Sequence, residues 1–367
     1  MIDDSVKEFD ILDAADRALV HALQISPRVS WAQMGKVLGL DPVTLARRWT
    51  RLVDRGEAWV GCNPGPILAS SGQGNLAFVE IDCANGSVLS VARELSGQQM
   101  VVGVEHVTGA RDLLVTVMVT DLCVLSHWAT EILGAISGVI ASRIELAGVI
   151  YTEGSRWRLR ELDPDQANAL AATQIVVDRH GAFRPTDLDR RIMAALSVDG
   201  RESYTALAEK CGAGLDTVRR RTRRLFAAGM VQARCEVARP LSERRVTVTL
   251  WAQVPSSQIE RAAQAVSAQH EVRQCAGITG RHNLLIVAWA RSVDDAQRLE
   301  VRLCEAFPGL TIGDRAIALW PMKLNGHLLD ERGYRVGAVP ISPGAPSRVV
   351  PGSGLDTGTD GTSSAPG

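Results

Sequence analysis

The sequence lacks any stretch that approaches the roughly 20 consecutive apolar residues of a membrane span, so it predicts no transmembrane helix. Its first residues, Met1-Ile2-Asp3-Asp4, are acidic and have neither the basic region nor the apolar core of a signal peptide. The seven cysteines are widely spread and include no C-x-x-C pair, which argues against a disulfide framework and a zinc site. These absences predict a cytoplasmic protein with no membrane partner.

An excess of either charge is also lacking, since 40 Lys and Arg stand against 41 Asp and Glu. This balance argues against a protein that coats nucleic acid without selectivity, and any basic surface must be local. Residues 186–245 hold 13 Lys and Arg against 8 Asp and Glu, a net charge of +5, and residues 12–60 hold 7 against 5, a net charge of +2. Positive charge is concentrated in these two segments.

Signatures of catalysis are missing as well. No Ser-His-Asp arrangement is supported by spacing, and neither a phosphate-binding glycine loop nor a metal-ligand cluster is found. The sequence therefore predicts no catalytic residue, no metal and no cofactor.

What the chain does contain is an internal repeat. Residues 16–58 laid over residues 189–231, a shift of 173 without a gap, match at 13 of 43 positions. Such self-similarity identifies a building block before any secondary structure is assigned. The matched residues mix turn positions with arginines, and they include Asp16/Asp189, Arg28/Arg201, Ser30/Ser203, Gly39/Gly212, Thr44/Thr217, Arg47/Arg220, Arg48/Arg221, Arg51/Arg224 and Gly56/Gly229.

The first copy of the repeat predicts three helices. Leu19, Val20 and Leu23 share the inner face of the first. Ser30 is a suitable N-cap for the second, which Gly39 ends. Asp41-Pro42 opens the third, whose inner face carries Leu45, Trp49 and Leu52 at i, i+4 and i+7. Two helices joined by a short glycine turn follow the helix-turn-helix plan.

The second copy keeps this plan, with Thr222 in place of the tryptophan, and its third helix carries five arginines within residues 219–224. Only Asp216 is a nearby acid, so the acidic partners expected of a solvated charged face are missing from this helix. Arginine pairs with phosphate and with the major-groove edge of guanine, which favours contact with double-stranded DNA. The predicted DNA-binding residues are Ser30, Asp41, Pro42, Thr44, Arg47, Arg48, Arg51, Ser203, Asp216, Thr217, Arg219, Arg220, Arg221, Arg223 and Arg224.

After each helical module the pattern predicts the order β-α-β-β-α-β. Strands are expected at 76–81, 100–107, 113–119 and 139–151, with helices at 86–96 and 124–136. The second set has strands at 246–251, 271–279, 284–289 and 310–320, with helices at 256–268 and 292–306. This is the ferredoxin-like order, twice. The fold class is α+β, with two winged-type helix-turn-helix domains and two ferredoxin-like domains.

In this order and at these spacings, the chain resembles the Lrp/AsnC family of transcriptional regulators. The resemblance rests on Leu12-Asp-x-x-Asp-Arg, the Gly39-Leu40 turn, Arg47-Arg48-x-x-Arg51-Leu52 with Gly56, and the Gly109-x-x-Asp112 hairpin. It covers residues 12–152 and 186–325. Family members are normally one such unit that dimerises through the ferredoxin-like (RAM) domain, so the resemblance implies an intramolecular pseudo-dimer that regulates transcription.

The resemblance also implies a small effector, often an amino acid, near the hairpin loops, and further self-association. Departures from the family pattern are Asp41 and Gly214 where a serine usually opens the recognition helix, and His282 and Asn283 in the second loop, which favour the first loop as the effector site. Tight turns without a ligand are the alternative. The candidate effector-binding residues are Thr108, Gly109, Arg111, Asp112, Thr279, Gly280, His282 and Asn283.

These observations divide the chain into predicted domains. They are an N-terminal extension (1–11), a first helix-turn-helix domain (12–62), a first ferredoxin-like domain (72–152), a linker (153–185), a second helix-turn-helix domain (186–240), a second ferredoxin-like domain (244–325) and a disordered tail (337–367). Within the linker, Asp163-Pro164-x-Gln166 predicts a short helix through Leu170. The tail is assigned by its composition, with Gly and Pro at 12 of 31 positions and no aromatic residue.

Two other functions remain open. Siroheme decarboxylases share this layout and can also be fused in tandem, but they carry a Tyr-Asn-x-Trp-like hairpin where this chain has Ala110-Arg-Asp-Leu-Leu-Val and Arg281-His-Asn-Leu-Leu-Ile, with only His106 and His282 near the corresponding places. An arginine-rich third helix would have no purpose in such an enzyme. The third possibility is a ligand sensor that acts through protein contacts and binds no DNA.

Overall fold

The structure is a computed structural model that describes residues 12–64, 74–154, 157–177 and 183–344. The N-terminal extension expected at 1–11 and the tail from 345 onward lie outside the described residues. The helices are α1 Ala14–Ile25, α2 Trp31–Leu38, α3 Pro42–Asp54, α4 Val88–Ser96, α5 Leu122–His127, α6 Pro164–Ala171, α7 Asp187–Val198, α8 Tyr204–Cys211, α9 Leu215–Ala227, α10 Ile259–Ser267 and α11 Val293–Ala306. The strands are β1 Ala58–Pro64, β2 Asn75–Cys83, β3 Val101–Val107, β4 Leu113–Val119, β5 Val139–Thr152, β6 Val231–Val237, β7 Val246–Gln253, β8 Val272–Ile278, β9 Leu284–Ala290, β10 Thr311–Leu324, β11 His327–Leu329 and β12 Arg335–Ala338.

Helices α1 to α3 form the first helical module. The side chains of Asp13, Ser30 and Asp41 each accept a backbone N–H at the start of a helix, which confirms Ser30 and Asp41 as caps. Gly39 ends α2 with φ at +67°, a left-handed conformation that glycine adopts without steric cost. The predicted inner face of α3 is buried in the core of this module.

Helices α7 to α9 form the second helical module on the same plan. Thr186 and Ser203 cap α7 and α8, Gly212 ends α8 with φ at +59°, and Gly214 precedes α9 without a side-chain cap. Thr222, which replaces the tryptophan of the first copy, is fully buried beside Val218 and Leu225.

One strand follows each module, and the two strands pair with each other. Strands β1 and β6 form a two-stranded antiparallel ribbon in which Ala58 lies opposite Val237 and Pro64 opposite Val231. Because positions 58 and 231, and 64 and 237, are equivalent under the 173-residue shift, the ribbon has an approximate two-fold axis at its centre. Each module contributes half of it.

The two β-α-β-β-α-β segments share one closed sheet. The first has strand order β3-β4-β2-β5 and the second β8-β9-β7-β10. Strand β5 pairs with β8 and β10 pairs with β3, both antiparallel, so eight strands form a closed ring. Neither half keeps a free sheet edge in this ring, since each edge strand pairs with the other half.

Helices cover the outside of the closed sheet. Core residues of α4 and α5 pack on β2 to β4, and those of α10 and α11 pack on β7 to β9. The opposite strand faces meet inside the ring, where Phe78, Leu114, Trp251 and Leu285 belong to one cluster. Strand β10 runs past the predicted end to Leu324, and the helix predicted at 124–136 begins at Leu122 and changes at Trp128 to a wider turn.

The remaining described segments pack against the helical modules. Asp163 and Gln166 form the reciprocal cap of α6, as predicted, and Leu170 enters the core of the first module. The disordered tail expected from Gly337 does not begin there: β12 extends through Gly337 to Ala338, and Ile341 is buried. Within the described ranges, no helix is both long and apolar enough to cross a membrane.

Candidate nucleic-acid interface and ligand site

The third helix of each module has one buried face and one exposed face. On α3, Leu45, Trp49 and Leu52 are buried, and Arg47 is exposed. On α9, the exposed positions include Arg219, Arg220, Arg223 and Arg224. The exposed faces of α3 and α9 carry the arginines that remain available to a phosphate backbone.

Two of the predicted DNA-binding arginines instead have acidic partners within their own module. Arg48 Nη1 lies 2.7 Å from Asp13 Oδ2 and 2.9 Å from Asp16 Oδ1, and Arg221 Nη1 lies 3.1 Å from Asp189 Oδ2. For these two arginines the expectation that acidic partners are missing is wrong, because the partners lie in the first helix of the module or at its cap and not on the arginine helix itself. The repeat carried this signal, since Asp16/Asp189 and Arg48/Arg221 are both matched pairs.

Arg51, Arg219 and Arg224 have contacts within the protein but remain exposed. Arg51 pairs with Asp16, although nearly half of its side chain is exposed. The Arg224 guanidinium lies over the Phe183 ring at 5.0 Å and that of Arg219 lies 6.0 Å from the Tyr204 ring. Arg47, Arg220 and Arg223 have no ion pair among the described residues, so they are the strongest remaining candidates.

The capping residues are already engaged in local structure. Ser30 accepts from Gln33 N, Asp41 from Thr44 N and Ser203 from Ala206 N. They lie at the starts of α2, α3 and α8, and Pro42, Thr44, Asp216 and Thr217 lie in the first turns of α3 and α9.

The two modules are joined by a reciprocal arginine contact that sequence reasoning did not assign. Arg28 donates to the carbonyl oxygens of Gly200 and Glu202, the latter at 3.1 Å. Arg201 donates to those of Pro27 at 2.6 Å and Val29 at 3.1 Å. All three pairs of positions (28 and 201, 27 and 200, 29 and 202) differ by 173, so the contact is isologous.

Each arginine also stacks on an aromatic ring of the other module. The Arg28 guanidinium lies 5.3 Å from the ring centre of Tyr204, and that of Arg201 lies 4.0 Å from that of Trp31. Trp31 and Tyr204 are again equivalent positions, at the first residues of α2 and α8. This contact fixes the two helix-turn-helix segments relative to each other.

The predicted effector loops make contacts between the halves of the closed sheet. Thr108 N donates to Ile317 O, and its hydroxyl oxygen accepts from Ile317 N, both at 2.9 Å. Thr279 makes the same two contacts with Leu146, also at 2.9 Å. The two hairpins therefore form equivalent closures of the ring.

The other residues of the first loop are similarly engaged. Arg111 is buried, pairs with Glu80 and with Asp314 of the other half, and lies 4.2 Å from the Trp251 ring. The Asp112 carboxylate accepts from Cys83 N at 2.7 Å. A Cβ at Gly109, whose φ is +103°, would meet Arg315 O at 3.1 Å.

In the second loop, the Asn283 side chain donates to Val254 O and accepts from Val254 N. His282 lies against Gly313, and Gly280 lies against the Glu145 carboxylate. The contacts of the two loops close the ring and occupy the polar groups of Thr108, Arg111, Asp112, Thr279 and Asn283.

A cavity of about 190 Å³ lies inside the closed sheet at the end that faces the ribbon. Strands of both halves line it, and Asn63 and Pro64 of β1 and Gln232 and Arg234 of β6 contribute to the same wall. The cavity therefore touches the ribbon that joins the helical modules. Among the described residues, no cluster of three or more His, Cys, Asp or Glu is arranged to hold a metal.

Comparison with known protein families matches three segments of the chain. The AsnC-type helix-turn-helix domain matches residues 12–53 and again 186–225. The Lrp/AsnC ligand binding domain matches residues 76–147. The chain thus carries domains of the Lrp/AsnC type. The second β-α-β-β-α-β segment lies outside the matched ranges.

Curated proteins similar to parts of the chain are named as transcriptional regulators. An uncharacterized HTH-type transcriptional regulator of Pyrococcus horikoshii is 28% identical over 149 residues, which cover 40% of the chain and 89% of the relative. The HTH-type transcriptional regulator LrpA of Mycobacterium tuberculosis is 29% identical over 114 residues, which cover 30% of the chain and 76% of that protein.

A solved structure that covers most of the chain is that of an enzyme. The siroheme decarboxylase NirDL in complex with an iron-uroporphyrin III analogue superposes with a TM-score of 0.54 at 13% identity, over 85% of the chain and 93% of that protein. At this identity the likeness establishes a shared fold alone.

Charged side chains line the cavity, with Arg273 buried and Arg239 and Glu105 half-buried. Burial lowers the pKa of Arg239 to about 10 and that of Arg273 to about 9. Burial likewise raises the pKa of the Glu105 carboxyl, against the influence of Arg239. Arg273 lies over the Trp289 ring at 3.4 Å and pairs with Glu236 at 3.2 Å. None of these residues belonged to the sequence-predicted sites, because charged residues far apart in the chain converge only when the sheet closes.

Proposed function

We propose that the protein is a sequence-specific DNA-binding transcriptional regulator, active in the cytoplasm, whose two helical modules bind two half-sites of one operator. The observation that carries the proposal is the reciprocal contact of Arg28 and Arg201, with the β1–β6 ribbon below it. It holds two helix-turn-helix segments in a fixed relation, as a two-fold operator requires.

In this proposal the chain is a pseudo-dimer, with two winged-type helix-turn-helix domains and two ferredoxin-like domains. Pseudo-symmetry of the ribbon, of the arginine contact and of the Thr108 and Thr279 hairpins supports it. Helices α3 and α9 would enter successive major grooves, about 34 Å apart. Arg47 and the exposed arginines of α9 would contact phosphates and base edges.

The same proposal includes a small-molecule effector, such as an amino acid, and self-association of the chain. Exposed Ile140, Ile144 and Val149 on β5 support association between closed sheets. The family resemblance implies an effector near the hairpin loops, but the polar groups of these loops are engaged in contacts between the two halves.

Footprinting on DNA upstream of the chain's own gene and its neighbours tests the proposal. We expect a protected site of two unequal halves, because α3 and α9 differ in sequence, and an affinity that falls steeply with salt. No protection at low salt would contradict DNA binding and would favour the ligand-sensor function.

An enzyme related to siroheme decarboxylases is the second candidate, and the fold shared with NirDL supports it. His282 lies in the hairpin region, and half-buried His106 lies on β3. The absorbance spectrum of the purified protein, alone and after addition of an iron tetrapyrrole, tests this candidate. A tightly bound tetrapyrrole would support the enzyme over the regulator.

A further inference from the structure

The cavity inside the closed sheet combines apolar walls with a few buried charged groups. Leu76, Phe78 and Met118 from the first half and Leu285, Val287 and Trp289 from the second line it. An apolar cavity of roughly 150 Å³ already holds a molecule the size of benzene, so about 190 Å³ has room for a small ligand. A small set of polar groups in an apolar pocket is typical of a ligand site.

Arg239 differs from the other arginines of this cavity. Its guanidinium lies 4.0 Å from the Trp289 ring and donates to the Thr247 hydroxyl. Within the described residues it has no carboxylate at ion-pair distance, whereas Arg234 and Arg273 share Glu236. The side chain is half-buried, and Glu105 and Glu236 act on its charge without forming an ion pair. A guanidinium has five N–H donors, so Arg239 has donors beyond the one that Thr247 accepts. A ligand carboxylate would supply that partner in the bidentate geometry arginine favours.

Glu105 provides a second polar group in the same cavity. Its carboxyl can donate a hydrogen bond when protonated and accept one from an ammonium group when ionised. A ligand with an amino group and a ligand with an oxo group beside the carboxylate are both compatible with it. The shared requirement is the carboxylate.

We propose that this cavity binds a small carboxylic acid with an apolar body, whose carboxylate pairs with Arg239 and whose body contacts the walls of both halves. The role of this ligand as the effector rests on the proposed function as a regulator. The effector then lies inside the closed sheet, away from the hairpin loops.

The cavity is in contact with the elements that hold the helical modules. Arg239 lies two residues after β6, and Ala238 N donates to Glu57 O at 2.7 Å beside the start of β1. Ile341 also lines the cavity, and its N–H donates to the Ser197 hydroxyl of α7 at 2.8 Å. A ligand that shifts Arg239 or Ile341 acts directly on the ribbon and on the second module, which gives a physical route to altered DNA affinity.

Isothermal titration calorimetry on the full chain tests binding without DNA. The probes are L-leucine, L-phenylalanine and the oxo acid that corresponds to leucine. We expect at least one of them to bind with one ligand per chain, and the comparison of leucine with its oxo acid distinguishes the two ligand types. If no probe binds, or if binding is unchanged in Arg239→Met, the proposal is overturned.

Matched variants locate the site. Arg239→Met keeps packing on Trp289 without the charge and should weaken binding at least about tenfold, whereas Arg298→Met, at an exposed arginine of α11, should not. Val287→Phe should fill the cavity and abolish binding. Circular dichroism melting reports whether each variant is folded, and Arg239→Lys, which keeps the charge but not the bidentate geometry, provides a milder change with an intermediate affinity expected.

DNA affinity measured with and without the bound acid separates this proposal from the proposed function. Ligand binding that depends on Arg239, in a chain that fails to bind operator DNA, would contradict the regulator and leave the ligand site standing. DNA binding in a chain that binds none of the three acids would overturn the ligand site and leave the regulator standing.

Discussion

Arg28 and Arg201 make the same contact in opposite directions. Each guanidinium donates to two backbone carbonyls of the other helical module and lies over the aromatic ring that begins that module's second helix. Burial lowers the pKa of Arg201 to about 10, with the nearby charge of Arg28 acting in the same direction. Two like charges are tolerated side by side here because each is neutralised by carbonyl dipoles and a ring face.

Replacing either arginine should weaken the contact between the modules and destabilise the fold. A hydrogen bond to a charged group contributes about 1.5–3 kcal/mol, so we expect Arg28→Ala or Arg201→Ala to lower the free energy of unfolding by about that amount. Urea denaturation provides the measurement. Arg190→Ala is the control, since Arg190 pairs with Asp187 on the exposed surface and should change stability by less than about 1 kcal/mol. An equal loss of stability in Arg190→Ala and in the Arg28→Ala or Arg201→Ala variants would contradict a structural role of the contact between the modules.

Equivalent arginines on the third helices should separate DNA binding from stability. Arg47→Ala and Arg220→Ala should weaken operator binding by about 1–3 kcal/mol where they contact bases, or reduce the salt slope by about 1 where they contact phosphate. Fluorescence anisotropy with operator DNA across a salt series measures both quantities. The thermal melting temperature of both variants should stay at the wild-type value.

The ion pair of Arg221 with Asp189 should matter for stability and not for DNA binding. Arg221→Ala leaves Asp189, a fully buried carboxylate, without its ion pair. Breaking a buried pair costs about 3–5 kcal/mol, and the Thr186 hydroxyl and N–H that remain on Asp189 place the effect at the lower end of that range. Loss of DNA affinity in Arg221→Ala without loss of stability would show that Arg221 contacts DNA after all.

The arginine clusters illustrate how far the sequence leads. Helix-turn-helix segments, their caps and the β-α-β-β-α-β order follow from local patterns, because caps and hydrophobic periodicity act over a few residues. The partners of Arg48 and Arg221 lie about thirty residues away on another helix, and a prediction limited to the i,i+4 neighbours of α3 and α9 misses them. The repeat alignment matches Asp16 with Asp189 and Arg48 with Arg221. The presence of both residues in both copies could have indicated the ion pairs.

The closed sheet could not be predicted from such local patterns. Each half was predicted with its strands, but nothing in either half specifies that β5 pairs with β8 and β3 with β10. Those pairings depend on edges that only meet in the folded chain. The interior cavity and Arg239 could not be predicted for the same reason.

The spacing of the two modules predicts a phase-dependent operator. The ribbon and the arginine contact fix α3 relative to α9, so both helices reach their half-sites only when these lie on the same face of the duplex. Inserting about five base pairs, half of a helical turn, between the half-sites should reduce affinity sharply, and about ten should restore most of it. Gel-shift assays with the three spacings give the comparison. Equal affinity for all spacings would indicate modules that move independently.

The hairpin threonines should contribute to stability and not to effector response. Thr108→Val and Thr279→Val each remove the hydroxyl that accepts from the opposite half and keep the side-chain shape. A lost hydrogen bond of this kind costs about 1 kcal/mol. Guanidinium denaturation measures the loss, and the operator affinity measured with the effector present should respond as in the wild type. An effector response abolished in Thr108→Val would restore the hairpin loops as the ligand site.

Stability should fall in acid partly through His21. Its Nδ1 accepts the backbone N–H groups of Glu161 at 2.9 Å and Leu162 at 3.0 Å, so the neutral ring fits the folded chain. Burial lowers the pKa of His21 to about 4, below the ordinary value. Because the folded pKa lies below the unfolded pKa of about 6.5, the contribution is complete above about pH 6.5 and is lost as pH falls toward 4.

Chemical denaturation from pH 7 to pH 4 checks this prediction. His21→Gln should lose about 2 kcal/mol less stability over that range than the wild type, whereas His127→Gln, at an exposed position, should follow the wild-type curve. His327 is buried and has a pKa lowered to about 3, so it contributes a loss of the same sign in every variant. Identical slopes for the wild type and His21→Gln would remove His21 from the explanation.

The covalent link between the two halves of the closed sheet changes how the assembly responds to dilution. Pairing of β5 with β8 and of β10 with β3 occurs within one chain, so its equilibrium does not depend on the number of molecules in the cell. Exchange of halves between molecules is not needed for pairing. The sequence of each half can also diverge, because neither half has to pair with an identical copy of itself. In a chain built in this way the two halves are paired even when a single copy is present.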